Sequence, residues 1–237
     1  ALGGDLLEAE FHELQPLMEK ALAQEAKDGG AYEMAVTAHG LAKAAEILAG
    51  QFTLVATNVP YLGRGKQDEV LQDFCERFYH EAKADLATAF VQRCLEFCSR
   101  NGSTAIVTPQ NWLFQSRYDK LRPKLLTEAQ WNTVAIINEH GFDSPQAAGA
   151  FAALIGMTAH PPSDSENFFG VDVSDGDSPR VKAELLLERE VSLKEQKKQL
   201  DNPDARIVFE AGGSGPRLKV IAESRWGLRT ADGPRFI

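Results

Sequence analysis

The chain has 237 residues, 43% of them hydrophobic, which is enough to bury one sizeable core. Its formal net charge of −9 disfavours this chain as the main phosphate-binding surface of a nucleic-acid protein, so if DNA is the partner, other residues must hold its backbone. The sequence has no apolar run long enough to span a membrane and no basic-then-apolar leader, and we expect a soluble protein of the cytoplasm.

The first hundred residues alternate between helical and strand-like apolar patterns. A polar loop at residues 62–66 contains two glycines and two basic residues and is predicted to be flexible. Asn58 is followed two positions later by a proline, which ends a strand abruptly. The predicted elements are a helix ending near Ala26, a helix from Tyr32 to Leu48, a buried strand at 51–58, and helices at 68–78 and 85–99.

The alternation continues to residue 157. The predicted elements are a strand at 104–108 after the turn at Asn101-Gly102, a helix at 115–126, and strands at 131–138 and 150–157. Strands separated by helices indicate a mostly parallel sheet, whereas the last two strands are joined by a loop too short for a crossover helix and should be antiparallel.

The composition changes after residue 160. Asp, Ser and Gly dominate to residue 178 and predict a loop, and residues 179–200 predict a charged, exposed helix. We therefore predict a first domain at 1–160 and a second region at 161–237. The three cysteines have neither disulfide-framework nor zinc-site spacing, and Cys94 and Cys98 are predicted to lie one turn apart on a helix.

The strand at 51–58 ends in Asn58-Val59-Pro60-Tyr61. Because ligands of open α/β sheets bind beyond the carboxyl ends of strands, these residues lie at the expected functional edge. They resemble the (Asn/Asp/Ser)-Pro-Pro-(Tyr/Phe) motif of amino-group methyltransferases that use S-adenosylmethionine. Four further stretches are similar to N6-adenine DNA methyltransferases of the BREX (phage-resistance) and restriction-associated type, at residues 85–96, 101–113, 121–126 and 227–236.

The resemblance implies the C-terminal part of a Rossmann-like methyltransferase sheet, mostly parallel with an antiparallel terminal strand and with helices on both faces. It implies a fragment of a larger site-specific DNA methyltransferase, inactive alone, whose residues beyond 227 enter a target-recognition region. The edge of the strand at 51–58 should then be open or covered by the first 50 residues. Double-stranded DNA with a flipped adenine is the implied substrate, with subunits of a defence system as further partners and no membrane.

By the same resemblance, the catalytic residues are Asn58, Val59, Pro60 and Tyr61. The side-chain oxygen of Asn58 and the carbonyl of Val59 would accept hydrogen bonds from the adenine amine, while Tyr61 would stack on the extruded base. Phe142 matches a second aromatic that packs on this base. Val59 departs from the family's proline, which would have fixed the backbone angle φ.

The implied cofactor is S-adenosylmethionine, with an incomplete site in this chain. Asp5 matches the acidic residue that binds the cofactor's adenine, and Phe90 matches the aromatic that packs on that ring, but no glycine-rich turn matches. We expect the chain alone to bind the cofactor weakly or not at all. No metal site is predicted.

Each of these signals has a simpler structural interpretation. The motif is also compatible with an ordinary turn, Tyr61 and Phe142 with core aromatics, and Asp5 with a helix cap. Phe90 is expected in the core in either case, and Arg64 and Lys66 fit a solvated loop better than a phosphate contact. Two other functions stay open: methylation of a glutamine side-chain amide in protein, and a catalytically silent domain that binds DNA or partner subunits.

Overall fold

The computed structural model describes residues 29–144 and 149–209 and contains a six-stranded sheet. Its helices are α1 (Gly29–Ala49), α2 (Glu69–Phe78), α3 (Leu86–Glu96), α4 (Leu121–Glu128) and α5 (Pro179–Glu188). Its strands are β1 (Phe52–Asn58), β2 (Cys98–Pro109), β3 (Gln130–Asn138), β4 (Ala152–Thr158), β5 (Asn167–Asp172) and β6 (Ser192–Glu195). The helix predicted before residue 28 and the start of the recognition region lie outside the described residues.

The strands follow the order β1-β2-β4-β3-β5-β6 across the sheet. β1 is parallel to β2 and β3 is parallel to β5, whereas β4 runs antiparallel to both β2 and β3, and β6 antiparallel to β5. Four strands therefore share one direction, which confirms the mostly parallel sheet and the antiparallel strand predicted at 150–157. β1 is an edge strand of the described sheet, and Leu54 on it is 62% exposed.

Helices cover both faces of the sheet, as predicted. Side chains of α3 and α4 join the larger core cluster together with Val134 and Ile155 of the sheet. The next residue along β3, Ala135, belongs to a second cluster against which Leu185 and Leu186 of α5 pack. Because neighbouring strand residues point to opposite faces, the two clusters lie on opposite sides of the sheet. Within the described ranges, no helix combines the length and the apolar content needed to cross a membrane.

The predicted end of the helix at 85–99 is wrong, because α3 ends at Glu96 and β2 already begins at Cys98. Cys98 is therefore a strand residue, and its thiol donates to the carbonyl of Cys94 at 3.2 Å. β2 bends at Asn101, whose φ is 63°, and at Gly102 it approaches β1 so closely that an added Cβ would lie 2.6 Å from a β1 carbonyl oxygen. The strand starts early because its first residue pairs with the start of β1.

The predictions for residues 161–200 also need correction. β5 lies inside the predicted loop and pairs with β3. Its Phe168 is fully buried beside Trp131 of β3, with ring centroids 6.1 Å apart, and this packing stabilises the strand. The predicted helix at 179–200 stops at Glu188 and is followed by β6. Earlier in the chain, the helix predicted at 115–126 begins only at Leu121, after a short 3-10 turn. The domain division near residue 160 stays a prediction, although the sheet continues past it.

Candidate active site at the carboxyl edge of the sheet

The tip of β1 presents two unengaged hydrogen-bond acceptors. Val59 continues the ladder past the end of the strand by donating its N–H to the carbonyl of Val107 at 3.1 Å, and its side chain is only 3% exposed. Asn58, the last residue of β1, is exposed. Among the described residues, none donates a hydrogen bond to the Asn58 side chain or to the Val59 carbonyl. The backbone is thus held firmly, and the exposed Asn58 side chain remains available, whereas the Val59 carbonyl belongs to a residue that is almost fully buried.

The loop after Tyr61 is tied to the start of α3. Leu62 N–H donates to a carboxylate oxygen of Asp85 at 3.3 Å, and Leu86 N–H donates to the Leu62 carbonyl at 2.9 Å. The same Asp85 oxygen accepts the N–H of Ala87 at 2.9 Å and so caps α3. The loop predicted as flexible is therefore anchored by hydrogen bonds at its beginning, which fixes the position of Tyr61.

Tyr61 is 38% exposed at this edge. Burial of the rest of the side chain, and next the nearby Asp85 carboxylate, raise the pKa of the Tyr61 phenol to about 12. Both effects disfavour the phenolate, so Tyr61 presents a neutral aromatic ring at physiological pH.

An open cavity of about 510 Å³ lies beside Tyr61. It is assembled by three neighbouring strands, because the carboxyl ends of β1 and β2 meet the amino end of β4 at this edge. The aromatic rings of Tyr61 and Phe151, the amide of Asn111 and several charged side chains line it. A cavity with aromatic walls and a few polar groups suits a flat heterocyclic ligand.

The segment after β2, which contributes Asn111 and Arg117 to the cavity, is held in place by Arg122, which is fully buried. Its guanidinium donates to the carbonyls of Trp112 at 2.7 Å and Gln115 at 2.8 Å, and through two nitrogens to the carbonyl of Asp204 at 3.0 and 2.7 Å. Burial lowers the pKa of this guanidinium, which nevertheless stays charged. One buried cation thus joins the cavity wall to the end of the described chain.

Of the predicted site residues in the described ranges, only Tyr61 lines the cavity; Asn58 and Val59 precede it at the tip of β1 without lining the cavity. Phe142 is partly buried against the second core cluster, the one that contains Ala135, and does not line the cavity. Phe90 is 36% exposed on α3, so its expected core position is wrong, and it does not line the cavity either. Pro60 is exposed beside the buried Val59. Asp5 lies outside the described residues.

The prediction missed three cavity residues: Asn111, Arg117 and Phe151. Asn111 follows the Pro109 that ends β2, and Phe151 directly precedes β4, so both sit where a strand meets the functional edge. The carbonyl of Phe151 accepts the N–H of Gln110 at 2.8 Å, which links the two walls. Their proximity to strand ends was readable, but only the strand order shows that they face Tyr61.

Comparison with a solved structure agrees with this fold. A chain from a study of complex assembly and conformational transition of the type I R-M system superposes with a TM-score of 0.51 and 14% identity, covering 73% of this chain and 41% of that one. The mostly parallel sheet with antiparallel β4 between β2 and β3 agrees with the Rossmann-like methyltransferase fold that the sequence resemblance implies. Residues 7–142 match the Eco57I restriction-modification methylase family. The chain belongs to this family.

Two curated relatives carry more specific names. The adenine-specific methyltransferase PglX of Lacticaseibacillus casei (strain Zhang) is 33% identical over 85 residues, which cover 36% of this chain and 7% of that protein. The adenine-specific methyltransferase BrxX of Escherichia coli O9:H4 (strain HS) is 33% identical over 96 residues, covering 40% of this chain and 8% of that protein. The match therefore spans less than a tenth of the length of each relative.

Proposed function

We propose that this chain is part of a DNA methyltransferase that transfers a methyl group from S-adenosylmethionine to the N6 amine of adenine. The observation that carries the proposal is the exposed, unengaged Asn58 side chain at the tip of β1, three residues before Tyr61, which lines a cavity with aromatic walls. Family membership and the names of the two adenine-specific relatives support the choice of adenine. DNA as substrate implies a cytoplasmic location, and other subunits of a defence system are further proposed partners.

The chemistry requires two acceptors. The lone pair of an exocyclic aromatic amine is delocalised into the ring, so the amine is a poor nucleophile. The Asn58 side-chain oxygen and the Val59 carbonyl would each accept one hydrogen of this amine and favour a tetrahedral nitrogen with a localised lone pair. Acceptors held in place before the reaction stabilise the developing charge without reorganisation.

The aromatic walls would hold the base. A base swung out of the duplex loses its stacking partners, and stacking on a neutral aromatic ring replaces part of that energy. Tyr61 supplies one ring, and we assign the second to Phe151, because it lines the same cavity. The earlier candidate for this second contact, Phe142, packs against a core cluster instead.

Val59 replaces the proline of the family motif without loss of order. A proline has no N–H, so it could not form the hydrogen bond that joins Val59 to Val107 at 3.1 Å. The valine side chain is also buried in the larger core cluster. The hydrogen bond to β2 and the packing in the core together restrain the backbone of Val59, as a proline ring would do in the family motif.

The described residues do not fit a complete cofactor site. Of the two residues assigned to the cofactor, Asp5 lies outside the described ranges, and Phe90 is 36% exposed and does not line the cavity. Among the described residues, we therefore assign roles only in orienting the base and its amine. The methyl donor would be held mainly by other parts of the intact protein.

The experiment compares Asn58→Ala with Asn132→Ala in the intact protein. Asn132 is an exposed asparagine near the start of β3, at the opposite edge of the sheet. With labelled S-adenosylmethionine and plasmid DNA, Asn58→Ala should lower kcat by about 100-fold or more, the typical effect of removing one preorganised polar group from an active site. Asn132→Ala should keep the wild-type rate, and nucleoside analysis should identify N6-methyladenine as the product.

Three results would contradict the proposal. Wild-type kcat in Asn58→Ala would show that the β1 tip takes no part in the chemistry. Label on glutamine in protein, with none on DNA, would favour the glutamine-amide methyltransferase. DNA binding by the intact protein without any methyl transfer would favour the silent binding domain.

A further inference from the structure

The cavity beside Tyr61 is cationic, although the chain as a whole has a net charge of −9. Three basic side chains line it, Arg64, Lys66 and Arg117, against one carboxylate, Asp85. That carboxylate already accepts two backbone N–H groups through one of its oxygens. A local excess of positive charge on an acidic protein requires a specific explanation.

The three cations are not equivalent. Arg64 is engaged, because its guanidinium lies 3.0 Å from the carboxylate of Glu76, which also pairs with Lys83 and His80. In the described part of the chain, neither Lys66 nor Arg117 forms an ion pair with a carboxylate. Both side chains are exposed at the mouth of the cavity. Two positive charges are therefore available to an anionic ligand.

The backbones that carry these two cations are well anchored. Lys66 ends the 3-10 turn that follows β1, and its N–H donates to the Gly63 carbonyl at 2.9 Å. Arg117 lies in the turn that follows β2, with its guanidinium 5.1 Å from the centre of the Tyr118 ring. Tyr118 is 2% exposed and so gives Arg117 a fixed platform. Each cation lies eight residues beyond the end of one of two adjacent parallel strands, Lys66 after β1 and Arg117 after β2, and both line the cavity.

We propose that Lys66 and Arg117 bind backbone phosphates of DNA beside the extruded adenine. This inference rests on the proposed function and adds the groups that hold the sugar-phosphate chain while Tyr61 and Phe151 hold the base. A nucleotide drawn out of a duplex keeps its phosphates, and these must be neutralised where the protein is otherwise acidic. Arg64 is excluded from the pair because Glu76 already holds it.

The test measures affinity for a fluorescent duplex as a function of salt concentration, using the intact protein. Lys66→Gln and Arg117→Gln should each reduce the slope of log K against log salt by about 0.9, and the double variant by about 1.8. Arg100→Gln is the matched control, because Arg100 is exposed near the start of β2, at the opposite edge, and has no ion pair with a described carboxylate. It should keep the wild-type slope.

The outcomes separate this inference from the proposed function. If the wild-type protein methylates DNA and the double variant has the slope of Arg100→Gln, the phosphate contacts are refuted while the methyltransferase stands. If the wild-type protein binds no duplex at all, both fail together. Urea unfolding of each variant should match the wild type, because both substituted side chains are exposed; a destabilised variant with an unchanged slope would also refute the inference.

Discussion

Replacing Arg122 by methionine should destabilise the protein strongly. Methionine keeps an unbranched side chain of similar reach but removes all four hydrogen bonds to the carbonyls of Trp112, Gln115 and Asp204. Gln115 keeps one bond, from the N–H of Tyr118 at 3.2 Å, whereas no other described residue donates to the other two oxygens. The Trp112 carbonyl is buried, and leaving it without a donor costs about 1–3 kcal/mol, whereas the bonds to Gln115 and Asp204 are partly buried and each costs less to lose.

The magnitude follows from two opposing contributions. The orphaned Trp112 carbonyl and the lost bonds to the two partly buried carbonyls give a loss of about 3–5 kcal/mol. Part of it is recovered, because the variant no longer has to bury a guanidinium that lacks an ion-pair partner, whose desolvation costs several kcal/mol. We expect a net loss of about 3 kcal/mol, a large fraction of the about 5–15 kcal/mol that stabilises a typical domain.

Urea unfolding followed by tryptophan fluorescence measures this loss. Trp112 and Trp131 are both buried, with ring centroids 5.7 Å apart, and report on the core directly beside Arg122. Arg180→Met is the control, because the Arg180 side chain is 88% exposed, and it should change the free energy of unfolding by less than about 0.5 kcal/mol. The free energy of unfolding of Arg122→Lys should lie between those of Arg122→Met and Arg180→Met. An Arg122→Met variant as stable as Arg180→Met would refute the reasoning.

Three further predictions concern stability. Gly102→Ala should cost about 1–3 kcal/mol in urea unfolding, because its Cβ would lie 2.6 Å from a β1 carbonyl oxygen; Gly65→Ala, whose Cβ meets nothing within 4 Å, should be close to neutral. Lys182→Met should lower the thermal midpoint, because the buried ammonium donates to the carbonyls of Ile137, Val173 and Ser174 at 2.7, 3.0 and 3.3 Å, and of these Val173 would keep one donor, the N–H of Gly176 at 3.2 Å. The pKa of Tyr61 and of Tyr79 is raised to about 12, mainly by burial, so above about pH 10 the unfolded chain loses phenol protons that the folded chain keeps. The free energy of unfolding should therefore fall as the pH rises from about 10 to 12, and Tyr79→Phe should flatten this fall; a wild-type stability unchanged across this range would contradict the sign.

Local signals in the sequence were sufficient for four of the six strands. β1, β2, β3 and β4 each contain an apolar run, and a proline follows the runs of β1 and β2, so their existence was predicted and only their ends shifted. β5 is a short apolar run between polar segments, and the composition around it predicts a loop. Its strand conformation comes from pairing with β3 and from the burial of Phe168 against Trp131, contacts that connect residues far apart in sequence.

The site residues likewise fall into those that a local sequence signal reveals and those that only the fold brings together. Asn58 to Tyr61 carry a signal within four consecutive residues, so they could be singled out directly. Phe151 and Arg117 carry no such signal, because they reach the cavity only through the strand order β1-β2-β4. For Phe142, the sequence leaves both a core position and a base contact open; its packing partners come from β3, β4 and the segment around β5, so only the fold decides for the core.

β4 has a consequence for how the protein forms as it is synthesised. β2 and β3 never touch as neighbours, because β4 lies between them and pairs with both. β2 and β3 therefore gain their shared partner only when β4, which ends at Thr158, has been synthesised. A chain truncated before β4 would leave one edge of β2 and both edges of β3 unpaired, the kind of edge at which chains associate.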